Sequence, residues 1–360
     1  MKIVTRARHD GGGLPPAPAN PGRRRLAVTA ALGACLAAWP LARESRHQPA
    51  RLRESRLLMG TQVEIAAQSA DEALLRPAVE AGFVRMARLA AVMSHFEAAS
   101  RVSAINLAAG LQPVPVPPEL MQVLEMAHSV SRRSEGAFDI TIGSVGRWHF
   151  DSLHPRMPAP AYISDHLPDV DYTKLILNTD AGTAHLAKRG MRIDLGGIAK
   201  LYILQAGMDT LHEYGVEHAL INGGGDVLAA GAPGARPWRV GIRDPRRPQQ
   251  LVAVLDIQRG FVASSGDYER FFVRDGRRYH HVLDPRTGYP TQGPHGVTLV
   301  GEALESVNGI GAAAMVLEAA AGRELIRRSG VQALIAGRDR GLWITPALRE
   351  RLAPPALGVS

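Results

Sequence analysis

The chain has 360 residues, 46% of them apolar and 21% charged, with a formal net charge of +8. That balance allows a sizeable core and excludes a disordered or fibrous protein. The first 42 residues carry +5 of the +8 (Lys2, Arg6, Arg8, Arg23, Arg24 and Arg25 against Asp10). No basic stripe interleaved with aromatics follows, so nucleic-acid binding loses its electrostatic support.

Residues 1–42 read as an export signal. Arg23-Arg24-Arg25-Leu26 opens an apolar run to Leu41 that is too short for a spanning helix, and the long polar start with consecutive arginines resembles a twin-arginine signal. Two processing sites stay open. Leu32-Gly33-Ala34-Cys35 resembles a lipobox that would make Cys35 an acylated terminus, and Trp39-Pro40-Leu41-Ala42 offers cleavage after Ala42. The expectation is a periplasmic protein, soluble or attached to the inner membrane. Cys35 is the single cysteine, so disulfides and thiol catalysis are excluded from the folded part. Residues 43–54 read as a polar linker, 55–350 as one domain and 351–360 as a tail.

Within the domain, the run from Leu57 to Ile65 alternates like a strand. Ser69 caps a helix whose apolar residues recur through Leu74, Leu75, Val79, Phe83, Met86, Leu89 and Met93. A second helix spans Pro118 to Arg133 and ends at Glu135-Gly136. Residues 151–171, rich in Pro, His and Asp, read as a surface excursion. Next comes Ile193-Asp194-Leu195-Gly196-Gly197-Ile198-Ala199-Lys200, a short strand, a glycine turn and the head of a helix with Leu201, Ile203, Leu204, Met208 and Leu211 on one face. Paired glycines let a ligand approach the backbone, and a helix start favours a phosphate. A plain corner with a solvated Lys200 fits the same residues.

Short strands dominate from Lys174 onward: Ala219 to Ile221, Trp238 to Ile242, Leu251 to Ile257, Phe261 to Ala263, Tyr279 to Leu283 and Val297 to Val300. A helix from Leu304 to Leu317 follows, another over Ala321 to Ser329, and closing strands at Val331 to Ile335 and Leu342 to Ile344. There is no internal repeat and no regular βαβ alternation, which favours an α+β fold.

Three further stretches place Gly and charged residues after strands: Asn222-Gly223-Gly224-Gly225-Asp226, Ser264-Ser265-Gly266-Asp267-Tyr268-Glu269-Arg270 and Tyr279-His280-His281-Val282-Leu283-Asp284-Pro285-Arg286-Thr287-Gly288. Each alone fits a structural turn. With the central corner they make four such corners in one region, the way a fold builds a polar ligand cleft. The plainer readings are a core ring for Phe138, turn caps for Asp139 and Asp226, a structural imidazole for His281 and a solvated Arg286.

These motifs, with Met59-Gly60-Thr61 and Gly136-Ala137-Phe138-Asp139-Ile140-Thr141-Ile142-Gly143, occur in the order found in the ApbE family of FAD:protein FMN transferases. The resemblance runs from Leu57 to Leu317. It implies a T-fold-like α+β domain that holds FAD, cleaves its diphosphate with Mg²⁺ and joins the FMN phosphate to a Thr or Ser hydroxyl of an acceptor flavoprotein, releasing AMP. Phosphoryl transfer demands charge neutralisation, in-line placement of the hydroxyl and a proton acceptor. By the same resemblance Met59, Phe96, Ala137, Phe138 and Asp139 meet the flavin half, Asp194 and Lys200 face the cofactor, and Val282 lines a ring. His281 and Asp226 are the catalytic candidates, and the Gly197 carbonyl is a metal ligand.

The family's late helix carries an Asp and, four residues on, a Thr as metal ligands. Here Asn308 and Ala312 stand at those positions. A helix through this run would put Glu305 on the face of Asn308, making both candidate ligands. At the central corner, Leu201 replaces the usual Gly and Gln205 stands where an Asp is common. Three functions follow: a transferase with a weakened metal site, a flavin-binding or delivery protein, and an exported protein with no flavin site.

Overall fold

The structure is a computed structural model and describes residues 3–5, 49–150, 153–232, 236–339 and 341–354. Apart from Ile3–Thr5, which pairs antiparallel with Trp238–Asp244, the leader lies outside the described residues, including Cys35 and Ala42. Among the described residues no helix is long and apolar enough to cross a membrane.

An eight-stranded sheet is the framework. Its strands are β1 (Ala50–Leu58), β2 (Thr61–Ser69), β3 (His218–Gly223), β4 (Asp226–Ala230), β5 (Gly260–Gly266), β6 (Gly296–Gly301), β7 (Gln332–Ala336) and β8 (Leu342–Ile344). They lie side by side in that order, every pair antiparallel. Strand alternation divides the core between its two faces. In β4, Leu228 and Ala230 join the cluster that holds helices α1 (Glu72–Met93) and α2 (Ala199–Glu213), whereas Val227 and Ala229 join Val240, Ile242, Leu255 and Ile257 of a smaller sheet. Both faces of β4 are therefore covered, which is why its side chains read as a continuous apolar run after Asp226. Burying Phe83, Met86 and Leu89 of α1, each at most 1% exposed, contributes about 1.5–3 kcal/mol apiece and fixes the helices on the sheet. The result is an α+β architecture.

Several expected elements differ. The alternating run from Leu57 to Ile65 is a hairpin, with Met59 and Gly60 both at positive φ (53° and 68°) between β1 and β2. Two-residue loops of that kind match the twist of the strands, and the alternation continues on both sides of the turn. β1 begins at Ala50, so five residues of the expected linker are sheet, and Leu352–Ala353 of the expected tail pairs with Arg247–Ile257. Asp71 rather than Ser69 caps α1, its Oδ1 accepting from Ala73 N at 2.9 Å. The expected helix from Leu304 to Leu317 is broken into α3 (Leu304–Val307) and α4 (Ile310–Val316), because Gly309 takes φ 74°. That conformation suits only glycine at low cost.

Candidate active site

The residues Met191 to Leu195 are not a strand. Asn106, buried on the helix Arg101–Leu107, does the work of a neighbouring strand there: its side chain accepts from Ile193 N at 2.7 Å and donates to Ile193 O at 3.1 Å. Asp194 N then donates to Ile140 O at 2.8 Å. Held this way, the chain turns through Gly196 and Gly197 into α2. A Cβ on Gly197 would come within 3.1 Å of the Phe138 ring, so glycine here allows that ring to lie on the turn.

The Asp194 side chain is partly exposed. Its Oδ1 accepts from Gly196 N at 2.8 Å and lies 3.1 Å from Nδ1 of His95, a partner that sequence reasoning missed. Burial alone would raise its pKa, but the His95 contact, the Gly196 N–H and the nearby His281 together hold it below the usual carboxylate range. Phe96, 81% exposed, has its ring 3.8 Å from that of His95. One turn into the corner, Lys200 Nζ meets Asp226 Oδ2 at 2.6 Å, and Asp226 Oδ1 accepts from Ser264 N at 2.8 Å. Lys200 and Asp226 thereby tie α2 to β4 and β5.

His281 follows the short strand Arg277–His280 and donates its backbone N–H to Arg270 O at 3.1 Å. Protein surrounding the ring, with His280, Arg270 and Lys200 nearby, pushes its pKa down to about 3. The side chain is also open to solvent, which tempers the size of the effect and not its sign. A neutral imidazole that can take a proton therefore lies near Asp194 and Lys200. Its neighbour His280 is structural: it is buried, and its Nε2 is 2.9 Å from Thr291 O. The turn at Met59-Gly60 closes this side, since a Cβ on Gly60 would lie 3.2 Å from Arg270 Nη2. Met59, Asp194, Lys200, Asp226 and His281 are thus brought together from four stretches far apart in sequence, Asp194 and Lys200 sharing one. Val282 is half-buried against the main core.

Other expected site residues also have structural roles. Asp139 is only 6% exposed and caps the turn Ile140–Val145. Its Oδ1 accepts from Thr141 N and Oγ1 at 2.8 and 2.7 Å, and its Oδ2 from Tyr172 N at 2.9 Å. Burial raises its pKa against those hydrogen bonds. The carboxylate is turned inward, so the side chain serves as a cap and any contact with the flavin falls to its backbone. Ala137 and Phe138 are both core residues. Arg286 is fixed by Asp284 through two hydrogen bonds of 3.0 and 2.8 Å. Asp267, one of the motif residues, is a buried anchor for His295 at 2.8 Å and Arg278 at 3.1 Å.

The donor set for a divalent cation does not fit the one the resemblance implies. Asn308 is buried and its amide nitrogen donates to Ile198 O at 2.8 Å and contacts Met126 Sδ at 3.0 Å. Turning the amide over would set two oxygen acceptors against each other. Because α3 ends at Asn308, Glu305 does not share its face: it is exposed and lines a separate groove with Tyr202, Gln205 and Asp209. Ala312 adds no side-chain oxygen. The Gly197 carbonyl and the remaining Asn308 oxygen are neutral, and among the described residues no group of three or more His, Cys, Asp or Glu is placed to hold a metal. A further groove of about 1010 Å³, lined by Arg277, Asp284, Arg323, Arg338 and Trp343 among others, contains none of Asp194, Lys200, Asp226, His281 or Asn308.

A sequence model described as the ApbE family matches residues 59–335. The chain is 36% identical over 238 residues to an FAD:protein FMN transferase of Klebsiella pneumoniae (strain 342), a match covering 66% of this chain and 72% of that protein. It is 33% identical over 264 residues to one of Treponema pallidum (strain Nichols), covering 67% of this chain and 72% of that protein. Among solved structures, the ApbE protein of Thermotoga maritima superposes with a TM-score of 0.77 at 29% identity, covering 84% of this chain and 99% of that one.

Proposed function

The chain belongs to the ApbE family, and we infer from that membership and from the cleft that it is an FAD:protein FMN transferase. The observation that carries the reading is the grouping of Asp194, Lys200, Asp226 and a neutral, exposed His281, near enough to act on one another. FAD lies there with its flavin half toward Met59 and Phe96 and its phosphates toward Lys200. An acceptor Ser or Thr hydroxyl attacks the FMN phosphorus. Its oxygen forms the new P–O bond, the bond to the AMP phosphate breaks, and AMP leaves with the bridging oxygen. The hydroxyl proton passes to the His281 imidazole. Asp226 keeps Lys200 in place by a charge-assisted hydrogen bond.

Mg²⁺ does not enter this proposal as an ion held at Asn308, because the donors there are neutral and the amide N–H faces Ile198 O. The acceptor is a flavoprotein segment presenting a Ser or Thr, and the arginine-led leader supports a periplasmic setting, soluble or at the inner membrane. The test is to incubate the purified protein with FAD and such an acceptor. AMP release together with flavin that stays on the acceptor in a denaturing gel is the expected result. FAD binding without AMP would instead indicate a delivery protein.

A further inference from the structure

The cleft has lost the carboxylate-held cation of its family pattern while FAD keeps two phosphate charges, so the neutralising charge has to come from elsewhere. Lys200 is already paired with Asp226 at 2.6 Å. Arg270 is different. Its guanidinium is exposed, and among the described residues no carboxylate pairs with it. Two contacts fix where it sits. Its backbone carbonyl accepts from His281 N at 3.1 Å, and its Nη2 lies beside Gly60, 3.2 Å from where a Cβ would be. Arg270 therefore stands between the Met59-Gly60 turn and His281. A planar guanidinium there offers a forked set of donors to phosphate oxygens, which a lysine does not.

We propose that Arg270 is the residue that binds the diphosphate of FAD in this protein, supplying charge that the Asn308 and Ala312 positions no longer recruit through a metal. This rests on the transferase reading, in which FAD occupies the cleft. Arg270 bridges the flavin-side turn and the proton acceptor, so it also sets the phosphorus within reach of His281. The neutral state of His281 fits a neighbour that carries a fixed positive charge.

The experiment measures equilibrium binding of FAD and of riboflavin, which has no phosphate, to wild-type protein and to Arg270→Gln and Arg270→Lys. Loss of one charge-assisted contact should weaken FAD by about 10- to 100-fold in Arg270→Gln. Riboflavin affinity should stay within about twofold, since no phosphate contact is at stake, and that retention also reports an intact fold. Arg270→Lys should recover part of the loss, and the salt dependence of FAD binding should be shallower in Arg270→Gln than in wild type. Unchanged FAD affinity in Arg270→Gln, or equal weakening of FAD and riboflavin, would overturn the assignment while leaving the transferase reading intact. Failure of the wild-type protein to bind FAD would overturn both.

Discussion

Ile198 separates two neighbourhoods of opposite character. On one side Asp194 and Lys200 are charged and each is engaged across elements, Asp194 with His95 at 3.1 Å and Lys200 with Asp226 at 2.6 Å. On the other side Asn308 turns its amide nitrogen onto Ile198 O and Ala312 brings no oxygen. The first neighbourhood is charged and the second neutral, at the positions where the family resemblance implies cofactor contacts and a cation respectively. Under the proposal, the charge facing the diphosphate comes chiefly from Arg270, since Lys200 is engaged by Asp226.

The first way to break this comparison is at the polar side. His281→Gln removes the proton acceptor without removing a cation, and AMP release should fall by about 10²- to 10⁴-fold in single-turnover assays. The wild-type imidazole, shifted down by its surroundings, remains a base as pH falls through the ordinary value of 6.5. An unshifted histidine would lose about tenfold in rate for each unit below that value, so a flat profile there sharpens the claim. The unfolded chain takes up this proton near 6.5 and the folded chain does not. This group's contribution to stability is thus complete above about 6.5 and declines as pH drops below it.

Next in size is Lys200→Met, which leaves Asp226, with 8% of its side chain exposed, without its cation. Because Lys200 is itself a third exposed, the cost should be about 2–3 kcal/mol in urea unfolding. The double variant with Asp226→Asn should regain much of it. A smaller effect is expected at the neutral side. Asn308→Asp would set a carboxylate oxygen near Ile198 O, now 2.8 Å from the amide nitrogen, and should cost about 1–3 kcal/mol in chelator-containing buffer. Mg²⁺ should then raise Tm in a concentration-dependent way for this variant and not for wild type. An equal Mg²⁺ response in wild type would erase the contrast between the two sides of Ile198.

Much of this was legible in the sequence where local pattern and final environment agree. The apolar face of α1, the buried run of β4 and the order of the Gly and carboxylate corners all come from periodicity and turn chemistry. What was not legible depends on contacts between distant residues. Nothing near Ile193 says that Asn106 will hold its backbone, which turns an expected strand into an irregular segment. Alternation continues across the Met59-Gly60 turn, so one strand was expected where a hairpin forms. The break at Gly309 had a signal, two glycines in a helical run, but the apolar spacing outweighed it; Glu305 was consequently expected on the face of Asn308. Nothing in the sequence singled out His95, and only the fold brings it to Asp194.

The central claim is that the cleft splits FAD and passes its FMN half to a hydroxyl. It is tested most directly by supplying FAD labelled in its adenosine half together with a Ser- or Thr-bearing acceptor, and counting labelled AMP against flavin covalently attached to the acceptor. One AMP for each attached flavin, with both abolished in His281→Gln, is the predicted result. Intact labelled FAD recovered from the protein, with an unmodified acceptor, would contradict it.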